Sequence, residues 1–136
     1  MQKLLFLIFF SFLTFNTYSQ EIPNNPNLFD LDSNRVGTWT ILYNYDWKIT
    51  NDIDSVKFYR IINFIDGKPS GKVFDFYSSG QKQWEGYLIA DKPDDVFDDG
   101  KSIWFDKKGE ITQETIKEGK KINDFYFLKN QKVLSV

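Results

Sequence analysis

The sequence contains no cysteine and no histidine. Without cysteine the chain can form no disulfide bond, no thiolate zinc site and no lipid anchor on an N-terminal cysteine. Without histidine it lacks the commonest general base and the commonest transition-metal ligand. Serines such as Ser55, Ser78 and Ser79 therefore have no imidazole to activate them, and the sequence holds no nucleophile-elbow motif. These absences argue against nucleophilic catalysis.

The chain also has no excess of positive charge. Its 17 lysines and arginines are set against 19 acidic residues, which gives a formal net charge of −2. Binding to nucleic-acid phosphates or to anionic lipid is driven by clustered lysine and arginine. The charge balance therefore predicts that neither nucleic acid nor a lipid surface is the main partner.

Only one long apolar run is present, and it lies at the N-terminus. Lys3 precedes the mostly apolar residues 4–13, a run too short for a membrane span and typical of a secretory signal peptide. Small residues at the first and third positions before the cut, Ser19 and Thr17, predict cleavage after Ser19. A buried N-terminal helix is disfavoured because no polar face interrupts the run. The sequence thus predicts a signal peptide over 1–19 and a secreted or periplasmic protein whose mature chain does not insert into a membrane.

The mature chain is predicted to be a single domain with a short leader. Removal of the signal peptide leaves 136 − 19 = 117 residues, which is enough for one modest hydrophobic core. Residues 20–36 are rich in turn formers and include Pro23 and Pro26, so they predict a flexible leader whose few apolar residues can dock on the domain. The repeat domain is predicted over 37–136.

Runs of aromatic and β-branched residues, separated by clusters of Gly, Asp, Asn and Lys, fill the predicted domain. They predict strands over Thr38–Tyr43, Val56–Ile65, Lys72–Tyr77, Gln83–Ile89, Ser102–Asp106, Ile111–Lys117 and Asp124–Leu128. No segment shows a sustained helical period. Residues 111–118 come nearest, but their apolar residues are five positions apart and their threonines favour a strand. The predicted fold class is all-β.

The predicted strands recur with a regular spacing. Tyr77 stands fourteen positions before Asp91, and Phe105 stands fourteen positions before Gly119, so two aromatic strand ends lie at equal distances from two polar turns. A single hairpin cannot bury its own aromatic face and must pair with its neighbours. The spacing therefore predicts a repeat β-meander of about three and a half hairpins that forms one elongated sheet.

Three segments depart from this regularity. Residues 44–54 hold an insertion after the first aromatic strand, and residues 94–100 form an enlarged acidic turn. The last unit begins at Asp124 and is half a hairpin long, so residues 124–128 are predicted to be an unpaired edge strand. Such an edge invites pairing with another chain and predicts a homodimer through the C-terminal edge strand.

The segment Gly71–Tyr87, GKVFDFYSSGQKQWEGY, combines a glycine, an aromatic pair, a turn glycine and a Gly-Tyr strand. This pattern resembles the MORN-repeat family, and more narrowly its bacterial variant in exported and antitoxin-like proteins. The resemblance covers residues 37–128 and departs in the third unit, where Thr115 stands in place of Gly86. It implies an elongated sheet of hairpins and a role as a scaffold or interaction module, with lipid binding proposed for some members. A cytoplasmic antitoxin role does not fit a chain with a signal peptide.

The densest charge in the chain is an acidic cluster in the enlarged turn. Asp95, Asp98 and Asp99 are the candidate ligands for calcium, a cation that takes six to eight oxygens. An EF-hand register fails because Phe97 stands where an oxygen ligand is needed. A solvated, widened turn without a metal is one alternative interpretation. A pair of catalytic carboxylates for glycoside hydrolysis is another, although no spacing in the cluster selects a pair.

One tryptophan stands outside the repeat pattern. Trp47 lies in the insertion, whereas the other three tryptophans lie in predicted strands, where stacking within the core is expected. Aromatic residues left outside the stacking face are natural anchors for a partner protein or a sugar ring. Trp47, Tyr45 and Tyr43 are therefore the predicted binding residues.

These observations together predict an exported, non-enzymatic, MORN-like repeat protein that acts as a protein-interaction or scaffold module. The sequence predicts no catalytic residue and no cofactor. A surface glycan-binding module that uses exposed aromatic residues is the alternative. A hydrolase that uses paired aspartates is a third hypothesis, which the absence of a recognisable acid-base constellation disfavours.

Overall fold

The computed structural model describes residues 20–92, 95–98, 100–118, 121–128 and 131–134. Within these ranges the strands are β1 (Leu28–Phe29), β2 (Arg35–Tyr43), β3 (Phe58–Ile65), β4 (Lys68–Tyr77), β5 (Lys82–Gly86), β6 (Leu88–Lys92), β7 (Asp95–Asp98), β8 (Gly100–Phe105), β9 (Ile111–Glu118), β10 (Lys121–Leu128) and β11 (Gln131–Leu134). A short 3-10 helix covers Ile53–Ser55. None of the helices in the described part of the chain could span a membrane. The predicted signal peptide lies outside the described residues.

Nine of these strands form one antiparallel sheet in the order β1-β2-β3-β4-β5-β8-β9-β10-β11. Apart from the step from β5 to β8, every neighbour in the sheet is also a neighbour in sequence. The predicted all-β meander in a single open sheet is therefore confirmed. Glycine supports the tight connections: at the turn between β3 and β4, Asp66 and Gly67 both have positive φ, at 49° and 74°.

The segment between β5 and β8 differs from the enlarged turn that the sequence predicts. Strands β6 and β7 form a separate two-stranded ribbon, in which Lys92 is opposite Asp95 and Asp91 is opposite Val96. The apolar pair Val96 and Phe97 has high strand propensity, and it overrides the flanking aspartates that favour a turn. The predicted strand over residues 83–89 is divided accordingly between β5 and β6.

The C-terminal edge also differs from the prediction. Strand β10 pairs with β9 on one side and with β11 on the other, so residues 124–128 are not an edge strand and the last unit is a full hairpin. The prediction was wrong because residues 131–134 are short and half polar and carry no strong strand signal. On this side of the described sheet the edge strand is β11.

The predicted leader makes specific contacts with the sheet. Residues 20–29, which we call the N-terminal strap, begin with Gln20 against Gly80 and end with β1 paired to the start of β2. Between these points the side chains of Asn25 and Asn27 bond to Thr40 in β2. Short polar side chains such as that of asparagine can hydrogen-bond to backbone groups. Here they hold in place a segment that does not form a continuous strand.

The main hydrophobic cluster lies on one face of the sheet. Alternation along the strands places Tyr43, Phe58 and Tyr77 opposite one another across β2, β3 and β4, and Trp84 opposite Trp104 across β5 and β8. The buried cluster on this face consists of Ile41, Tyr43, Ile62, Phe64, Val73, Trp84 and Leu88. Because Leu88 belongs to β6, the ribbon contributes to closing the core. We call this side of the sheet the core face.

An ion pair is buried within the core face. Arg60 donates from Nε and from its terminal nitrogen to the two carboxylate oxygens of Asp75, at 2.7 and 2.8 Å, and both residues are almost fully buried. The guanidinium also lies 5.7 Å from the ring centre of Tyr43. Two parallel hydrogen bonds of this kind fix the register of β3 against β4.

Candidate functional site

The loop between β2 and β3, residues 44–57, begins with a compact turn. The side-chain oxygen of Asn44 accepts hydrogen bonds from the backbone N–H groups of Asp46 and Lys48, both at 3.0 Å. The backbone N–H of Trp47 donates to the Asn44 carbonyl at 3.1 Å, and the backbone N–H of Asn44 donates to the Lys48 carbonyl at 2.9 Å. An Asx side chain that bonds to backbone groups two and four residues ahead holds such a turn in place.

The same five-residue turn recurs along the chain. Its backbone bonds are repeated in residues 30–34, 77–81 and 106–110, and in the first and last of these an aspartate takes the role of Asn44. The fourth residue of each copy has a positive φ: Ser33 at 63°, Trp47 at 58°, Gly80 at 93° and Gly109 at 83°. Two copies thus use glycine, as this conformation favours, and one uses a tryptophan.

The Trp47 side chain stacks on the core face at the end of the sheet. Its ring lies 4.5 Å from that of Phe58 with only 8° between the ring planes, and 5.4 Å from the ring of Tyr43. Phe58 in turn contacts Tyr77 at 6.0 Å. We call Tyr43, Trp47, Phe58 and Tyr77 the aromatic ladder. It joins the loop to three neighbouring strands.

At the far end of the ladder, Tyr77 is held by polar contacts. The Tyr77 hydroxyl donates to the Phe105 carbonyl at 3.1 Å, and the ammonium group of Lys107 lies 5.7 Å from the Tyr77 ring centre. Burial raises the pKa of the Tyr77 phenol, and the charge of Asp106 adds to this effect. The phenol therefore stays neutral and remains a donor through the physiological pH range.

The structure divides the three predicted binding residues into two groups. Tyr43 is only 8% exposed and supports the ladder from within the core. Trp47 and Tyr45 are 38% and 80% exposed, so both present aromatic surface to solvent. Ile49 and Ile53 in the same loop are also more than half exposed. Sequence reasoning missed these two residues because isolated isoleucines between polar residues carry no periodic signal.

Two of the three predicted calcium ligands lie in the ribbon. Asp95 and Asp98 are the first and last residues of β7, where their backbones are opposite Lys92 and Leu88, and Asp99 lies outside the described residues. Among the residues that the structure describes, no group of three acidic, histidine or cysteine side chains is arranged to hold a metal ion. The calcium site stays a prediction.

Comparison of the chain with protein-family models, with curated proteins and with solved structures gives no match.

Proposed function

We propose that this chain is an exported, non-enzymatic repeat protein that acts as a protein-interaction or scaffold module and binds its partner through the loop of residues 44–57. The observation that carries the proposal is Trp47, a large aromatic residue at a backbone position where the three equivalent turns have glycine or serine. A side chain in such a conformation costs on the order of 1 kcal/mol, and strain of this kind concentrates at binding and switch sites.

The composition of the loop supports a protein partner. Tyr45, Trp47, Ile49 and Ile53 place four large apolar side chains at the surface of one short segment. Exposed apolar residues grouped in this way mark interaction sites, and tryptophan and tyrosine are enriched among the residues that dominate binding energy. The stack of Trp47 on Phe58 holds the indole ring in one orientation, which reduces the entropy lost on binding.

The MORN-like character of the chain is part of the same proposal. Antiparallel hairpins in sequence order, closed by turns with glycine at positive φ, support the resemblance of Gly71–Tyr87 to that family. The trimmed chain would begin with Gln20, whose side chain lies against the turn at Gly80.

The proposal is tested by affinity purification of residues 20–136 from an envelope extract, followed by titration of each purified partner. We expect Trp47→Gly to weaken partner binding at least tenfold, because it removes the anchor while the turn keeps a residue that suits its backbone. Leu31→Ala is the matched control, since Leu31 is a fully exposed apolar residue outside the loop. Equal binding by the two variants would contradict the proposal.

A glycan-binding role is the second candidate function, and the geometry of the Trp47 stack favours it. One face of the indole packs flat on Phe58, and the residue keeps 38% of its surface exposed. The apolar face of a pyranose ring can stack on such a surface, and the exposed Asp46 and Lys48 can bond to its hydroxyl groups. Quenching or a shift of tryptophan fluorescence on addition of envelope polysaccharide, lost in Trp47→Gly, would support this candidate over a protein partner.

A further inference from the structure

The N-terminal strap begins with an exposed glutamine that lies directly on a turn of the sheet. Gln20 is exposed, and it contacts the turn of residues 77–81 between β4 and β5. A Cβ atom placed on Gly80 would lie 2.7 Å from Cβ of Gln20 and 3.6 Å from its Cα. Gly80 has a φ of 93°, so the close approach uses a position that already favours glycine. Residue 20 is therefore the point where the described strap first meets the sheet.

The side-chain amide of Gln20 is accessible and unbonded. Within the part of the chain that the structure describes, no hydrogen bond occupies this amide. The amides of Asn25 and Asn27 further along the strap are, by contrast, held by bonds to Thr40. An exposed amide without bonds to the fold can turn towards the backbone nitrogen of its own residue.

We propose that Gln20 is a modification site, at which the mature chain begins with pyroglutamate. The inference rests on the proposed export and on cleavage after Ser19, which gives Gln20 a free α-amino group. The α-amino nitrogen attacks Cδ of its own side chain, a lactam bond forms, and the amide nitrogen leaves as ammonia. The attacking nitrogen gives up one proton, which the ammonia carries away, so the reaction needs no oxidant and no co-reactant.

The length of the glutamine side chain makes this ring favourable. Attack on Cδ closes a ring of five atoms, whereas the same attack in an N-terminal asparagine would close a strained ring of four. α-Amino groups titrate near neutral pH, so a neutral and nucleophilic fraction is present under ordinary conditions. The reaction therefore requires only that residue 20 is the first residue and that its amide is accessible.

The lactam protects the contact between the strap and the sheet. It removes the positive charge of the N-terminus and the free amine that aminopeptidases recognise. Without this block, loss of the first residue would remove the atoms that lie on Gly80. The bonds of Asn25 and Asn27 to Thr40 would remain, so the strap would lose its first attachment and keep its second. The ring also has fewer rotamers than an open side chain, which lowers the entropy cost of holding residue 20 in place.

The test is the intact mass of the exported chain, purified in the cold at neutral pH from cells that make the full-length precursor. We expect an N-terminus at residue 20 and a mass lower than that of residues 20–136 by one ammonia, about 17 Da. Gln20→Asn is the matched control, because it keeps Cβ and an amide but cannot close the five-membered ring. After denaturation, pyroglutamyl aminopeptidase should remove one residue from the unmodified chain and none from this control.

The masses distinguish the two ways in which the inference can fail. A chain that starts at residue 20 with its full mass overturns the modification and leaves the proposed export in place. A chain that retains residues 1–19, or that starts at another residue, overturns both.

A second measurement separates the fold from the chemistry. Residues 20–136 with a newly exposed N-terminal Gln20 should lose ammonia at a similar rate in buffer and in urea, because Gln20 is exposed in the folded chain. Ring closure in urea alone would show that the contact with Gly80 keeps the amine and the amide apart. That result would overturn a modification of the folded chain.

Discussion

At the scale of single residues, Trp47 and Gly109 occupy the same place in two copies of one turn, with φ of 58° and 83°. The turn requires a left-handed backbone conformation. Gly109 adopts this conformation without a side chain, whereas Trp47 adopts it with a large one. The Trp47 side chain is held by its stack on Phe58 and its contact with Tyr43. The strained residue is therefore fixed by packing from the aromatic ladder.

The positive φ of Trp47 predicts an unusual order of stability for substitutions at this position. Both Trp47→Gly and Trp47→Ala lose the stack, but only glycine relieves the backbone strain, whereas alanine retains it. We expect Trp47→Gly to be more stable than Trp47→Ala by about 1 kcal/mol in urea denaturation. If the alanine variant is equally stable or more stable, φ at this position is not strained as described.

Gly86 shows the opposite situation, in which the space for a side chain is missing. A Cβ atom there would lie 2.5 Å from Cζ2 of Trp84 and 3.0 Å from Cβ of Ser102. We expect Gly86→Ala to lower the free energy of unfolding by about 1–3 kcal/mol because the indole ring must move. The same substitution in a Trp84→Phe background should cost less, since the smaller ring leaves room. Equal costs in both backgrounds would show that the clash is not with Trp84.

At the scale of strands, β4 and β5 are joined by one ion triad outside the core. Glu85 accepts from Lys72 on β4 at 2.8 Å and from Lys82 on its own strand at 2.7 Å. The hydrogen bond from Lys72, followed by that from Lys82, lowers the pKa of the Glu85 carboxyl. A carboxyl whose pKa is lower in the folded chain stabilises the fold above its unfolded pKa, and this contribution is lost as the pH falls through the folded pKa.

We therefore expect Glu85→Gln to be less stable than the unmodified chain by about 0.5–1 kcal/mol at pH 7, a small value because both lysines are partly solvated. The difference should shrink toward zero below the folded pKa of Glu85. Urea denaturation of both proteins at pH 7 and in acid measures it. A difference that persists unchanged in acid would assign the effect of Glu85 to packing and not to charge.

The buried ion pair of Arg60 and Asp75 joins β3 to β4. Because both groups are buried, Asp75→Ala would remove the carboxylate bonded to a buried guanidinium, and we expect a loss of about 3–5 kcal/mol. The double variant Arg60→Met with Asp75→Leu should recover a large part of that loss, since it removes both charges. A double variant as unstable as the single one would mean that the pair is needed for more than charge balance.

The strands show which parts of the fold the sequence encodes locally. Strands β2, β3, β4 and β9 were predicted within a few residues because alternation and glycine turns bound them. Strands β1, β7 and β11 were not, since two to four residues are too few for a periodic signal and their pairing depends on a neighbour. The candidate site was likewise only partly predictable from the sequence. Trp47 stood out by breaking the repeat, but its turn geometry is invisible in a sequence without glycine at that position.

At the scale of the whole molecule, the two faces of the sheet are protected differently. The core face is closed by side chains of its own strands and by Leu88 of the ribbon. On the opposite face, Tyr59 is only 1% exposed and stacks on Phe76, and the N-terminal strap contacts the sheet at Gly80 and at Thr40. Burial raises the pKa of the Tyr59 phenol, as expected for a group shielded from water. The strap is thus part of the folded unit.

The loop of residues 44–57 presents Tyr45 and Trp47 to solvent beside the end of β2, and we propose that a partner protein binds there. Site-specific photo-crosslinking in the cell envelope tests it most directly, with the photoreactive residue at Tyr45, which is 80% exposed, or at Leu31 as the control. We expect a discrete cross-linked protein from position 45 that is absent from position 31 and absent when Trp47 is replaced by glycine. Cross-linked protein from position 31 alone, or a product unaffected by Trp47→Gly, would contradict it.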